Sequence, residues 1–239
     1  MKKVLLSLAV VLSLAFSTSA QESSFTTGAD FQSRYLWRGL QLGGNTPSIQ
    51  PAATFSWNGL SVGVWGAFQT MGLTNQELDI TIGYTFANDM LTAQVTDYCF
   101  PYDRFDLTAA PVRHHYFDYN EGGSHTFEAG IKFNGLESLP LRAEVYVNFY
   151  NDDDYSTYAE ISYNPTIEKW GLDLNVFAGC VFTQSIAYST EGFGLINLGA
   201  GITKKLKITD SFTLPVYTRL IFNPDADKAY FVIGTGFSI

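Results

Sequence analysis

Ser124 and His125 stand side by side at the start of a stretch of alternating apolar residues. A nucleophilic hydroxyl needs a base within hydrogen-bond reach and a third group to orient that base. Neighbours on an extended chain project to opposite faces, so this pair cannot be a catalytic dyad by itself. His114 or His115 would have to fold back onto Ser124, and no G-x-S-x-G elbow occurs anywhere in the chain. The adjacent His114 and His115 also point apart, and no Cys or carboxylate stands at a ligand spacing that would complete a metal site. Asp152, Asp153 and Asp154 offer the oxygen ligands that Ca²⁺ prefers, but the run lacks the ordered spacing of a calcium loop and reads as a solvated acidic tip. These residues point to no catalytic centre, no cofactor and no resident metal. The enzymatic alternative is a membrane lipid hydrolase or acyltransferase, in which the 99–123 loop would carry a His against Ser124 or another Ser.

A second set of polar residues has a different logic. Arg34, Arg38, Asp79, Glu128, Lys132, Arg142, Glu144 and Arg219 fall on the polar side of alternating segments, with both signs interspersed. Charges facing a confined passage act as an electrostatic filter, which makes these eight the candidate pore-lining residues. Arg34 and Arg38 are placed to pair with Glu77, Asp79 or Glu128. The same residues suit a structural salt-bridge network that fills a narrow barrel.

The elements that must position these charges are strands. In 77–86, Leu78, Ile80, Ile82, Tyr84 and Phe86 share one face, and Glu77, Asp79, Thr81, Gly83 and Thr85 the other. This period of two marks a strand with one apolar and one polar side. It recurs over 25–38, 48–57, 60–69, 77–87, 90–98, 124–134, 139–150, 155–165, 170–182, 191–205, 211–222 and 228–239. Each segment is near the ~9–11 residues that a tilted transmembrane strand needs. Every second connection is tight and rich in turn residues, such as Asn58-Gly59, Ala87-Asn88-Asp89 and Asn134-Gly135. The others tend to be longer, at 39–47, 70–76, 99–123 and 183–190, although 151–154 and 223–227 are short. Short turns at one end and longer loops at the other are expected of an antiparallel transmembrane β-barrel of about 12 strands, with both termini on the periplasmic side.

Composition agrees. The 239 residues are 46% hydrophobic but only 15% charged, with 19 Phe, 14 Tyr and 21 Gly. A soluble β-sandwich also alternates, but its water-facing side usually carries many Lys and Glu, whereas here Thr, Ser, Asn, Gln, Gly and Tyr dominate. Tyr35, Trp37, Trp57, Phe86, Phe133, Trp170, Phe182, Phe212 and Phe222 fall near segment ends on the apolar face, as interfacial girdles do. A net charge of −9 excludes nucleic acid as a natural partner. Lys2 and Lys3, the apolar run 4–16 and a small-residue site ending at Ala20 read as a cleavable signal peptide over 1–20. The barrel would then occupy 21–239. Beyond the leader no apolar run is long enough for a membrane helix. Cys99 and Cys180 fall on non-adjacent segments, so a disulfide is not expected. The final segment, with Phe237 two from the end, is similar to the C-terminal signal read by the barrel-assembly machinery.

Residues 33–39, Ser-Arg-Tyr-Leu-Trp-Arg-Gly, precede Pro47-Ser48-Ile49-Gln50-Pro51-Ala52. This stretch resembles the opening of mature TorF-family porins, formerly a conserved family of unknown function. The sharp match covers about 25–57. The resemblance implies a small outer-membrane barrel of undefined substrate and supplies no activity. The expectation is therefore a cell-outer-membrane porin that passes small polar solutes by diffusion. Its partners would be outer-membrane lipid, the assembly machinery and those solutes. A plugged structural or surface barrel without conductance is the alternative from another class.

Overall fold

The computed structural model describes residues 23–71, 76–101, 116–136 and 138–239. The proposed signal peptide, His114, His115 and most of the 99–123 loop lie outside the described residues. In chain order the strands are β1 (Ser23–Gln32), β2 (Leu36–Trp37), β3 (Leu40–Gln41), β4 (Ser48–Trp57), β5 (Leu60–Gln69), β6 (Gln76–Phe86), β7 (Leu91–Cys99) and β8 (His125–Phe133). They continue as β9 (Leu141–Tyr150), β10 (Thr157–Tyr163), β11 (Thr166–Ile167), β12 (Leu172–Val181), β13 (Gly194–Lys207), β14 (Thr213–Asn223) and β15 (Lys228–Ser238).

Twelve of these strands, all but β2, β3 and β11, form a closed antiparallel barrel. Neighbours in sequence pair as meanders, and β1 closes the ring against β15, from Gly28 opposite Ser238 to Gln32 opposite Gly234. Thr27 and Ile239 extend that seam with reciprocal backbone hydrogen bonds of 2.9 and 2.8 Å. Closure leaves the ring of twelve strands without an unpaired edge strand among the described residues.

The alternation read from the sequence sorts the side chains. Val64, Ile82, Val145, Ile161, Leu220 and Ile233 are exposed on the outer face. Glu77, Asp79, Glu128, Tyr146, Asn148, Tyr158 and Tyr217 are buried inside. The barrel is thus apolar outside and polar or aromatic within, the reverse of a soluble barrel. One end carries the tight turns 58–59 and 87–90; at the other, 33–47 and 182–193 are longer, while 151–156 and 224–227 are short. Trp170, Phe182, Phe212 and Phe222 are exposed near strand ends, as the girdle reading expects.

One expectation is overturned here. The first strand does not run to residue 38: β1 stops at Gln32, and the chain turns into the lumen as the β2–β3 hairpin. Tyr35 and Trp37 therefore do not face outward. Tyr35 is only 5% exposed and lies 5.5 Å from the Trp65 ring, while Trp37 stacks on Tyr188 at 5.3 Å. The physical reason is that period two marks extended chain, not membership of the barrel wall. A hairpin lying inside the barrel alternates just as a wall strand does.

Candidate lumen gate

The turn of the hairpin is Arg38-Gly39, with φ of 48° and 78°. Positive φ at both central residues is the two-residue turn whose twist matches the flanking strands. Gly39 is required for a second reason. A Cβ there would sit 1.8 Å from the Ile196 carbonyl oxygen on β13. The Gly39 carbonyl accepts a hydrogen bond from Asn223 Nδ2 at 3.2 Å. The tip is thus seated against β13 and the end of β14.

Arg38 ends in a cage. Its guanidinium makes a bidentate pair with Glu128 of β8, with Nη2 donating to Oε1 at 2.9 Å and Nη1 to Oε2. Nη1 also donates to the Tyr188 hydroxyl at 2.5 Å. The rings of Tyr146, Tyr158 and Trp37 lie 4.2, 4.5 and 4.6 Å from its central carbon. Tyr98 donates a 2.9 Å hydrogen bond to Glu128, which is 1% exposed. A carboxylate buried to that degree needs a fully engaged cation, and a guanidinium fork over aromatic faces meets both demands.

The wall is shaped to hold the cage. Gly130 on β8 lies beneath Tyr146, where a Cβ would meet the ring at 2.1 Å. Gly179 on β12 leaves the same room for Tyr158. Each glycine lets the aromatic of a neighbouring strand lie flat against the backbone. Tyr188 comes from the 182–193 segment. Its amide donates to Ser185 Oγ at 3.0 Å, and Ser185 bonds Ser156 at 2.6 Å.

The hairpin joins all three buried apolar clusters of the lumen. Leu36 packs with Phe177, Tyr217, Ile221 and Val232. Trp37 and Leu40 pack with Tyr146, Tyr158, Val181 and Ile196. Tyr35 and Leu42 pack with Ala67. On one side of it a cavity of about 770 Å³ is lined by Trp37, Tyr98, Asn148, Asp152, Asp153 and Tyr155 among others. On the other, a cavity of about 430 Å³ is lined by Arg38, Glu160, Asn164, Asn197 and Arg219 among others.

The residues singled out from sequence are placed as follows. Arg38 pairs with Glu128, but as a plug tip and not as a wall residue. Arg34 is likewise on the inturned segment, and its Nη1 donates to Gln41 Oε1 at 3.1 Å. The expectation that both arginines line the wall from the first strand is therefore corrected. Asp79 faces the lumen between Trp65 and Tyr98 in register. Lys132 and Glu144 are register partners on β8 and β9, and Tyr146 donates to Glu144 at 3.1 Å. Arg142 shares the inward face of β9 with Glu144 and Tyr146. Arg219 lies 5.0 Å from the Tyr217 ring and borders the second cavity.

Ser124 and His125 form no dyad. His125 Nδ1 meets Asp97 Oδ1 at 2.8 Å and its Nε2 meets the Tyr116 carbonyl at 2.8 Å. Both ring nitrogens thus face oxygens other than that of Ser124. Tyr119 stacks over His125 at 3.7 Å, so residues 116–123 cover this pair on the outer face at the barrel rim. Loss of solvation, with Asp97 close by, raises the Tyr119 hydroxyl above the usual phenol range. This Asp–His contact was missed from sequence. Its signal was available: Asp97 and His125 are polar residues on otherwise apolar faces. The acidic run is a loop tie. Asp152 accepts from Asn148 at 2.6 Å, and Asp154 accepts the Ile186 amide at 2.8 Å. Cys99 and Cys180 are free thiols. Among the described residues no three His, Cys, Asp or Glu side chains gather as a metal site.

A family model described as a bacterial protein of unknown function (Gcw_chp) matches residues 17–219, and the chain belongs to that family. No curated protein matches. Among solved structures, the chain is similar to an outer membrane channel from Pseudomonas putida F1. That likeness has 8% identity, covers 94% of this chain and 97% of that one, and has a TM-score of 0.42.

Proposed function

We propose that this chain is an outer-membrane barrel that passes small polar solutes by diffusion, and that the β2–β3 hairpin holds its lumen closed until it gives way. The observation that carries the reading is a closed barrel with an exposed apolar outer face around a polar interior. Water-soluble monomers rarely expose contiguous apolar area beyond a few hundred Å². In hydrocarbon only helices and closed barrels satisfy every backbone group. The end with the tight turns, which carries Ser23 and Ile239, would face the periplasm. A cleavable leader and delivery through the barrel-assembly machinery fit this location, as does the resemblance of about 25–57 to TorF-family porins.

Two cavities approach the hairpin from opposite ends, so the hairpin lies between them. Release of that layer would leave a narrow passage bordered by Asp79, Glu128, Lys132, Arg142, Glu144 and Arg219, whose charges would set selectivity. A permanently plugged structural barrel is favoured by one specific fact: the hairpin is built into all three lumen clusters. The hydrolase reading turns on His114 or His115, which lie outside the described residues, and nothing among the described residues favours it.

Swelling of proteoliposomes in small sugars and amino acids separates these readings. The wild-type barrel should swell slowly. A variant with residues 34–41 replaced by a Gly-Ser link should swell rapidly. A folded variant that still excludes every solute would remove the channel reading and leave the structural one.

A further inference from the structure

The Arg38 cage has the composition of a ligand site, yet its occupant belongs to the chain itself. Without the hairpin, four walls remain. Glu128 comes from β8, Tyr98 from β7, Tyr146 from β9 and Tyr158 from β10, with Tyr188 above them. Glu128 Oε1 also accepts a hydrogen bond from Tyr98, which ties the carboxylate to the wall where the guanidinium sits. Tyr146 and Tyr158 are set in position by the wall glycines beneath them, and Tyr158 is tied further by Asn197 at 3.0 Å. None of these wall contacts is made by the hairpin. The carboxylate and two of the three ring faces are therefore supplied by the barrel, while the third ring, Trp37, and the cation come from the hairpin.

We propose that this cage binds the guanidinium group of small organic cations, and that Arg38 occupies it in the closed barrel as an internal stand-in for such a solute. The proposal rests on the reading of the hairpin as a displaceable plug. The chemistry is specific. A carboxylate excluded from water requires a cation in its place. Tyrosine faces present the negative side of their quadrupole to a cation but give no such attraction to a neutral solute. A planar fork engages both carboxylate oxygens, which a hydrated sodium ion cannot do. The cage thus selects organic cations over inorganic ones and over neutral isosteres such as urea.

The test empties the cage and offers a replacement. Refolded Arg38→Ala barrel is titrated with methylguanidinium, with sodium and urea as controls at matched ionic strength, and thermal unfolding and tryptophan fluorescence are followed. Methylguanidinium should raise the unfolding midpoint saturably, at a concentration about tenfold or more below any effect of sodium. The shift should vanish in Arg38→Ala/Glu128→Gln and be absent from wild type, whose cage is filled. A shift that does not saturate, that sodium matches, or that survives Glu128→Gln overturns the proposal. If Arg38→Ala does not refold in buffer alone, recovery by methylguanidinium but not by sodium or urea supports the site, and recovery by none overturns it. The readout needs no current. A saturable, Glu128-dependent shift in a barrel that never conducts keeps the cation site while removing the channel reading.

Discussion

Glu128→Gln should unlatch the hairpin while leaving its shape almost unchanged. The substitution keeps the volume at position 128 and one hydrogen-bonding oxygen, but removes the carboxylate charge that the Arg38 guanidinium touches. Arg38 is 10% exposed in its side chain and Glu128 1%, so neither is screened by water. Breaking a buried pair by removing one partner costs about 3–5 kcal/mol, because the other charge is left uncompensated. At about 1.4 kcal/mol per decade, the equilibrium between seated and released hairpin should move by roughly 10²-fold to several thousandfold toward release. Single-channel recording reads this as a rise in open probability, and cleavage by added protease within 33–47 reads it independently of current. Replacing both partners, as in Arg38→Met/Glu128→Leu, removes the buried charge altogether and should return the hairpin most of the way to its seat. The reasoning fails if Glu128→Gln is as silent and as protease-resistant as wild type. It fails equally if the double variant is as open as the single one.

Three further outcomes follow from other parts of the molecule. Gly39→Ala should disturb the seat of the hairpin tip, since a Cβ would meet the Ile196 carbonyl at 1.8 Å; limited proteolysis at 33–47 should be faster than in wild type while the barrel itself stays resistant. Ile82→Arg puts a charge on the exposed outer face of β6 and should cost about 2–4 kcal/mol of stability in lipid if that face lies near the bilayer centre; equilibrium unfolding from vesicles that shows no loss would contradict the membrane placement. His125→Ala removes the contacts to Asp97 and the Tyr116 carbonyl and leaves Asp97 without that partner, at a cost of about 1–3 kcal/mol. Hydrogen exchange should then quicken over 116–124 with little change in β13 or β14, and uniform quickening would show that the contact is not local.

The barrel wall was legible because its signal is local. In β6 or β9 each residue declares its face by parity alone, and the turn residues at 58–59 and 87–89 mark where parity restarts. Parity also placed Asp79, Glu128, Lys132, Arg142, Glu144 and Arg219 on the inner face without knowledge of the strand order. The hairpin was not legible by the same means. Tyr35 and Trp37 alternate with Arg34 and Arg38 whether the chain continues in the wall or turns inward, and an aromatic suits a lipid interface as well as a buried stack. What distinguishes the two is the Arg38-Gly39 turn, which asks for positive φ and so ends the strand. Glu128 stood among three carboxylates offered to Arg38 and Arg34, and the choice between them rests on a contact across 90 positions of sequence, which no local pattern encodes. The Asp97–His125 contact was missed for a related reason: a polar residue on an apolar face reads as an irregularity until the segment that covers it is in view.

The central claim is that a membrane barrel is held shut by its own hairpin. Planar-bilayer recording of the wild-type barrel beside one in which residues 34–41 are replaced by a Gly-Ser link tests it most directly. The account predicts a wild type that is closed for most of the record and a replaced form with steady, ion-selective steps. A wild type that conducts steadily with the hairpin present, or a correctly folded replaced form that stays silent, would contradict it.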